Sequence, residues 1–208
     1  MRYLLSILIF VLLSTVPSIG SEVGDVKTLL KMNVDAVVEL LQDAALDKTK
    51  RNQQIIDIIM PIFDFKTMAK LSLGKKYWPS LSEKQQSEFS DLFIRRLQES
   101  YLDKLDIYTD EKVIYGEPLT AGTKIHVPTT LVSKDSNIEM LYKFYRNGEY
   151  WRIYDVEIGG VSVIQTYRSQ FDGVLRQGSV TDLLEKLRED GAFVLPEPGE
   201  EGAPPGND

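Results

Sequence analysis

Residues able to carry out catalysis or bind a metal are few in this chain of 208 residues, which has one histidine and no cysteine. His126 lies in a segment of alternating apolar and polar residues, so a Ser-His-Asp arrangement would need partners such as Ser162 and Asp155. The sequence contains no G-x-S-x-G, no H-E-x-x-H, no phosphate-binding glycine loop and no acidic calcium loop. We therefore predict a protein that is not an enzyme, without catalytic residues, metal or cofactor.

Two carboxylates stand two residues apart on one predicted strand, at Asp155 and Glu157. Residues at this spacing lie on the same face of a strand. Acid–base chemistry would require one of them to be desolvated, whereas such pairs are usually solvated or capped. A salt bridge at the strand end is the simpler interpretation.

The first 20 residues predict a secretory signal peptide. Arg2 supplies a positive charge, Leu4 to Leu13 are apolar except for Ser6, and Ser18 and Gly20 suit a cleavage site. A membrane anchor is the alternative, but this run is about half of the roughly 20 residues that span a bilayer. We therefore predict cleavage after residue 20 and a periplasmic location.

The composition restricts the remaining function classes. A net charge of −7 argues against nucleic-acid binding and against bulk attraction to anionic lipid surfaces. The absence of cysteine excludes disulfides, zinc–thiolate sites and a lipidated cysteine at the cleavage point. Residues 191–208, rich in proline, glycine and acidic side chains, predict a disordered tail. One folded domain over residues 21–190 remains.

The N-terminal half has the periodicity of helices and the following part has that of strands. Apolar residues three and four apart predict helices over about 25–42, 48–59 and 63–73, and the capping pair Ser82 and Gln85 opens a long fourth helix. From about residue 112 the period changes to two, and the last 30 residues before the tail predict two more helices, opened by Ser162 and Ser179. Helices packed on a curved antiparallel sheet make an α+β domain.

Asn147-Gly148 predicts a two-residue hairpin turn between strands over about 138–146 and 149–158. Such a turn sets the register, and one face of the hairpin is then apolar. The opposed pairs predicted on that face are Phe144–Trp151, Tyr142–Ile153 and Met140–Asp155.

Three segments carry a resemblance to a known family. They are Phe65 to Trp78, the helix Phe89 to Tyr101, and the run from Trp151-Arg152-Ile153-Tyr154-Asp155-Val156 through Gly160-Val161-Ser162 to Tyr167-Arg168-Ser169-Gln170-Phe171. Over about residues 25–188 the chain resembles the MlaC, or toluene-tolerance, family. It departs from the family pattern at Gly159 and Thr166, which affects the expected turn near these residues more than the fold.

This resemblance implies a periplasmic phospholipid carrier of a Gram-negative bacterium, which maintains outer-membrane lipid asymmetry. The implied partners are phospholipid, an inner-membrane ABC transporter complex with its substrate-binding ring protein, and an outer-membrane lipoprotein complex. The implied fold is an NTF2-like cone with an added N-terminal helical layer that encloses an apolar cavity. The acyl chains would enter the cavity and the head group would stay near its mouth.

The physical demand on such a carrier agrees with the composition. Exposing two acyl tails of about thirty methylenes to water costs on the order of 20 kcal/mol, so a lipid needs a dry cavity to cross an aqueous compartment. The predicted cavity residues are the large apolar side chains of the helix stripes and the apolar sheet face. These are Phe65, Met68, Phe89, Phe93, Leu97, Tyr101, Met140, Tyr142, Phe144, Trp151, Ile153, Ile164, Tyr167 and Phe171.

Arg152 and Arg168 are the basic residues of the most family-specific segment and are the candidates for contact with a lipid head group. A structural salt bridge to Asp155 or Asp172 is the alternative role for each. Two rival functions also remain open at this point. They are an enzyme on the same fold, dependent on His126, and a docking protein whose aromatic layer is solid core.

Overall fold

The computed structural model describes residues 19–105, 112–134 and 137–193. The helices are α1 (Ile19–Gln42), α2 (Lys48–Ile59), α3 (Phe65–Tyr77), α4 (Glu83–Leu105), α5 (Val163–Gln177) and α6 (Val180–Arg188). The strands are β1 (Lys112–Tyr115), β2 (Leu119–Ala121), β3 (Lys124–Val132), β4 (Asn137–Asn147), β5 (Tyr150–Ile158) and β6 (Val161–Ser162). The predicted signal sequence lies outside the described residues except for its last two positions, and the predicted tail lies outside from residue 194 onward.

The six strands form one antiparallel sheet in the order β1-β3-β4-β5-β6, with β2 also paired to β3. Helices cover its inner face, on which Ile125, Val127, Phe144 and Ile153 are buried. The predicted α+β class, with a helical layer over an antiparallel sheet, is confirmed. Two predicted helices have different bounds. α1 begins at Ile19 and not near residue 25, and α3 spans Phe65–Tyr77 and not residues 63–73.

Local sequence signals explain where several helices begin. Ser82 and Gln85 exchange capping hydrogen bonds before α4, and Ser179 and Asp182 do the same for α6. Ser162 accepts a hydrogen bond from the backbone N–H of Gln165 and caps α5 by its side chain. These serines fix the residues at which α4, α5 and α6 begin.

The hairpin between β4 and β5 has a different register from the predicted one. Asn147 pairs with Tyr150, so the turn residues are Gly148 and Glu149. Gly148 has a φ of 62°, whereas Glu149 does not have a positive φ, since all described residues with positive φ are glycines. This pattern is that of a type II′ turn with glycine at the first central position. The opposed pairs are therefore shifted, and Phe144 faces Ile153 instead of Trp151.

A β-bulge changes the faces of β5 beyond that point. Lys143 pairs with Asp155 while Phe144 pairs with Ile153, which leaves Tyr154 as the extra residue. The bulge turns Asp155 to the outer face of the sheet and Val156 to the inner face. The predicted pairing of Met140 with Asp155 was therefore wrong, and Met140 pairs with Ile158.

Two adjacent glycines form the turn between β5 and β6. Gly159 and Gly160 have φ of 57° and 80°, and Ile158 pairs with Val161 across them. Two central residues with positive φ define a type I′ turn, which a larger residue at position 159 would strain. The departure from the family pattern at Gly159 thus has a local structural reason.

Arg96 joins α4 to the C-terminal end of α6. Its guanidinium is 4% exposed, donates to the carbonyl oxygens of Leu187 and Glu189, and forms an ion pair with Glu99. Helix C-termini leave carbonyl groups without partners, and a buried cation stabilises them. α6 is thereby held against the helical layer.

Asp64 joins the start of α3 to the β4–β5 hairpin. It accepts hydrogen bonds from the backbone and side chain of Thr67, from the Tyr145 hydroxyl and from Asn147. Burial alone would raise the pKa of Asp64, but these hydrogen bonds outweigh it and lower the pKa below its ordinary value.

Asp64→Ala is expected to lower the free energy of unfolding by about 1–2 kcal/mol near neutral pH, because the helix cap and the link to the hairpin are lost. Because its pKa is lower in the folded state, the Asp64 carboxylate stabilises the folded protein at pH values above its unfolded-state pKa of about 3.9. This stabilisation disappears as the pH falls through the folded-state pKa. Urea unfolding of the wild-type protein and of Asp64→Ala should therefore show a difference in the free energy of unfolding that narrows below about pH 4. A gap that stayed constant would show that the carboxylate charge contributes nothing.

Candidate functional site

A cavity of about 320 Å³ lies between the inner face of the sheet and helices α1, α2 and α4. Six of the fourteen predicted residues line it: Phe65, Met68, Leu97, Tyr101, Met140 and Tyr142. A water molecule occupies a share of about 30 Å³ in the liquid, so the cavity has room for roughly ten groups of that size. A methylene is similar in size, and the volume therefore suits hydrocarbon.

The other eight predicted residues do not line this cavity: Phe89, Phe93, Phe144, Trp151, Ile153, Ile164, Tyr167 and Phe171. All but the half-buried Trp151 are at most 4% exposed. Phe93, for example, lies 5.2 Å from Tyr167 and 6.2 Å from Phe171 between ring centroids. The rings of Phe89, Phe93, Tyr167 and Phe171 pack against one another and make a solid core beside the cavity.

Much of the cavity wall comes from residues that were not predicted as site residues. Val34, Val37, Val38 and Leu41 of α1 and Ile55 and Ile59 of α2 form one side. Short aliphatic residues of β1, β3 and β5 complete the opposite side. The apolar stripe of α1 was visible in the sequence, but it indicated only that this helix face is covered.

No charged side chain is found among the described residues that line the cavity. Its polar groups are hydroxyls and amides, among them Tyr101, Tyr142 and Thr129. Burial raises the pKa of Tyr142 to about 12, and burial with neighbouring groups also raises that of Tyr101. Both phenols are therefore neutral at physiological pH, and the wall carries no charge.

The two candidate head-group residues lie outside the cavity wall. Arg168 is exposed and its Nε donates to the carbonyl oxygen of Leu71 at 3.0 Å, beside the non-helical Gly74 of α3. Arg152 is half-buried, with its guanidinium 5.3 Å from the Tyr150 ring centroid. Neither arginine forms the predicted alternative salt bridge to Asp155 or Asp172 among the described residues. Asp172 pairs with Arg176 instead.

A polar cluster occupies the outer face of the sheet, opposite the cavity. Lys143 forms ion pairs with Asp155 and Glu157, and Asp155 also accepts from the Ser162 hydroxyl at 2.8 Å. Burial would lower the pKa of Lys143, but these two carboxylates raise it above its usual value. The expected salt bridge at Asp155 and Glu157 is therefore present, with Lys143 as its cation.

The geometry of this cluster does not match a catalytic triad. The hydroxyl of Ser162 donates to Asp155, and the buried Nε2 of His126 has no hydrogen-bond partner among the described residues. Burial and Lys143 lower the pKa of His126. A nucleophilic serine would need the histidine within hydrogen-bond distance. Within residues 19–105, 112–134 and 137–193 there is also no group of three or more metal-binding side chains.

Sequence comparison connects this architecture to known proteins. The model of the family described as MlaC protein matches residues 31–189. The chain belongs to the MlaC family. The match includes most of α1, all of α2 to α6 and the whole sheet, and therefore every element that lines the cavity. No curated protein matches the chain.

This MlaC-family chain is also similar to a solved structure, the phospholipid-binding protein from Ralstonia solanacearum in complex with a phospholipid. The two are 25% identical in sequence and superpose with a TM-score of 0.70. The similarity covers 77% of this chain and 93% of the Ralstonia protein.

In the described part of the chain, no helix has the length and apolar character required to span a membrane.

Proposed function

We propose that this MlaC-family protein binds a phospholipid with its acyl chains in the cavity. The observation that carries the proposal is the uncharged, largely hydrocarbon wall around about 320 Å³ of space. Family membership and the phospholipid-bound Ralstonia structure support it. Removing the chains from water stabilises the complex by roughly 0.8 kcal/mol per methylene, which requires no catalytic group.

The proposal extends to transport. After cleavage of residues 1–20, the domain of residues 21–190 would carry phospholipid through the periplasm between an outer-membrane lipoprotein complex and an inner-membrane ABC transporter with its ring protein. The extreme insolubility of a diacyl lipid is the physical reason for a carrier in an aqueous compartment. Family membership is the support for these partners and this location.

The two rival functions receive less support from the described residues. An enzyme dependent on His126 lacks a serine–histidine hydrogen bond, because Ser162 donates to Asp155. A docking protein with a solid interior would have no cavity beneath its sheet, whereas this chain has one beside its aromatic core. We therefore retain the phospholipid carrier as the proposed function.

Protein purified from cells without detergent is expected to contain diacyl phospholipid at about one molecule per chain. The largely apolar wall offers water few hydrogen bonds, so acyl chains fill the cavity more favourably than water does. Native mass spectrometry followed by lipid extraction measures the content directly. Protein that is folded yet free of lipid, and that takes up none from phospholipid vesicles, would contradict the proposed function.

A further inference from the structure

The cavity wall contains a group of hydroxyls within its hydrocarbon surface. Tyr101 projects from α4, and Tyr142 and Thr129 stand on the inner face of β4 and β3. Tyr142 pairs with Val127, and Thr129 pairs with Met140. The side chains of Tyr142 and Thr129 are therefore diagonal neighbours on the sheet. Apolar wall continues along α4 on both sides of Tyr101, at Leu97 and at Leu105.

These hydroxyls have almost no partners within the described protein. The Tyr142 hydroxyl contacts only the sulfur of Met140, at 3.8 Å, and a thioether is a weak acceptor. None of the described residues forms a hydrogen bond with the hydroxyl of Tyr101 or of Thr129. A donor in an apolar cavity without an acceptor is unfavourable, so a ligand that supplies an acceptor gains affinity.

The chemistry of the wall restricts the acceptor to a neutral one. Both phenols keep their protons, because burial raises the pKa of each. A phosphate would have to enter a wall without any cation among its described residues, which is strongly unfavourable for an anion. An ester carbonyl is neutral, accepts hydrogen bonds and is attached directly to the acyl chains.

Polar and charged groups lie at the sheet edge formed by β1, next to the strand that carries Thr129. Tyr115 of β1 pairs with Thr129, and its hydroxyl donates to Asp35 of α1 at 2.8 Å. Lys31, whose side chain is 56% exposed, forms an ion pair with the same Asp35. Polar groups thus continue from this exposed edge inward to the cavity hydroxyls, so an ester at Tyr142 need not bring its phosphate into the cavity.

We propose that the hydroxyls of Tyr101 and Tyr142 donate hydrogen bonds to the ester carbonyl oxygens of the bound lipid. The cavity would then select ester-linked diacyl lipids over ether-linked dialkyl lipids with the same chains and head group. This inference rests on the proposed function, because it assumes that a lipid occupies the cavity.

The test offers the full-length protein a choice between the two linkages. Vesicles containing equal amounts of diacyl and dialkyl phosphatidylethanolamine, identical in chain length, are incubated with the protein, which is then re-isolated for native mass spectrometry. The wild-type protein is expected to retain the ester lipid in excess by roughly 3- to 10-fold, the effect of one or two net hydrogen bonds. Tyr142→Phe and the double variant with Tyr101→Phe should bring the ratio toward one, whereas the exposed Tyr150→Phe should keep it.

Each outcome separates this inference from the proposed function. Equal retention of both lipids by the wild-type protein would overturn the ester selection while leaving lipid binding intact. An ester preference that survives in the folded double variant would overturn the assignment to these tyrosines. Retention of neither lipid would contradict the proposed function itself.

Discussion

Met140→Asp is expected to give a folded protein that retains at least about tenfold less phospholipid than the wild type. Met140 faces the cavity from the middle of β4, in a wall without charged residues among those described. Water can solvate the new carboxylate while the cavity is empty, but acyl chains would have to displace that water. Burying an unpaired carboxylate costs several kcal/mol, which outweighs a large part of the gain from binding.

Lipid per chain after purification without detergent measures this effect, and circular dichroism reports whether the variant is folded. Ile114→Asp is the matched control, because Ile114 is an apolar strand residue that is 59% exposed and does not line the cavity. The control should retain lipid at the wild-type level. Equal lipid content in two folded variants would show that Met140 does not face bound acyl chains.

Phe171→Ala is expected to lower the free energy of unfolding by about 3–5 kcal/mol without emptying the cavity of the protein that remains folded. Phe171 is 1% exposed, and its ring lies 5.0 Å from Phe193, 5.4 Å from Phe89 and 5.5 Å from Tyr167 between centroids. Removing it leaves a hole among rings that do not line the cavity. Urea unfolding and lipid content per folded chain are the two measurements.

Tyr150→Ala serves as the control for this prediction, since Tyr150 is 65% exposed and its loss should change stability by no more than about 0.5 kcal/mol. Should the alanine variant fail to fold, Phe171→Leu keeps most of the volume and still tests the lipid content. Loss of lipid with unchanged stability would place Phe171 in the binding site, against its position in the core.

The candidate site was only partly predictable from sequence. Periodicity correctly indicated that Phe93 and Tyr101 both face inward from α4, but one packs against other rings and the other lines free space. An apolar residue contributes to the hydrophobic effect in either place, so the pattern is the same. The distance between the helical layer and the sheet decides which residues meet space, and that distance depends on side chains far apart in the chain.

The hairpin shows a second limit, at the level of single residues. Asn147-Gly148 correctly indicated a tight turn, but the turn is centred on Gly148 and Glu149. The bulge at Tyr154 then reverses the faces of Asp155 and Val156. Asp155 is held on the outer face by Lys143, Ser162 and the backbone of Ile164, contacts that exist only once the strands and α5 have assembled.

By itself, the sequence determined the α+β class, the position of α2, the serine caps of α4 to α6 and the scarcity of catalytic side chains, because these depend on neighbours a few residues away or on composition. Only the tertiary structure decided which apolar surface is core and which encloses a cavity, and where the uncharged hydroxyls of Tyr101 and Tyr142 lie within it. The physical reason is that local periodicity reports burial, whereas free volume arises from the packing of whole layers against one another.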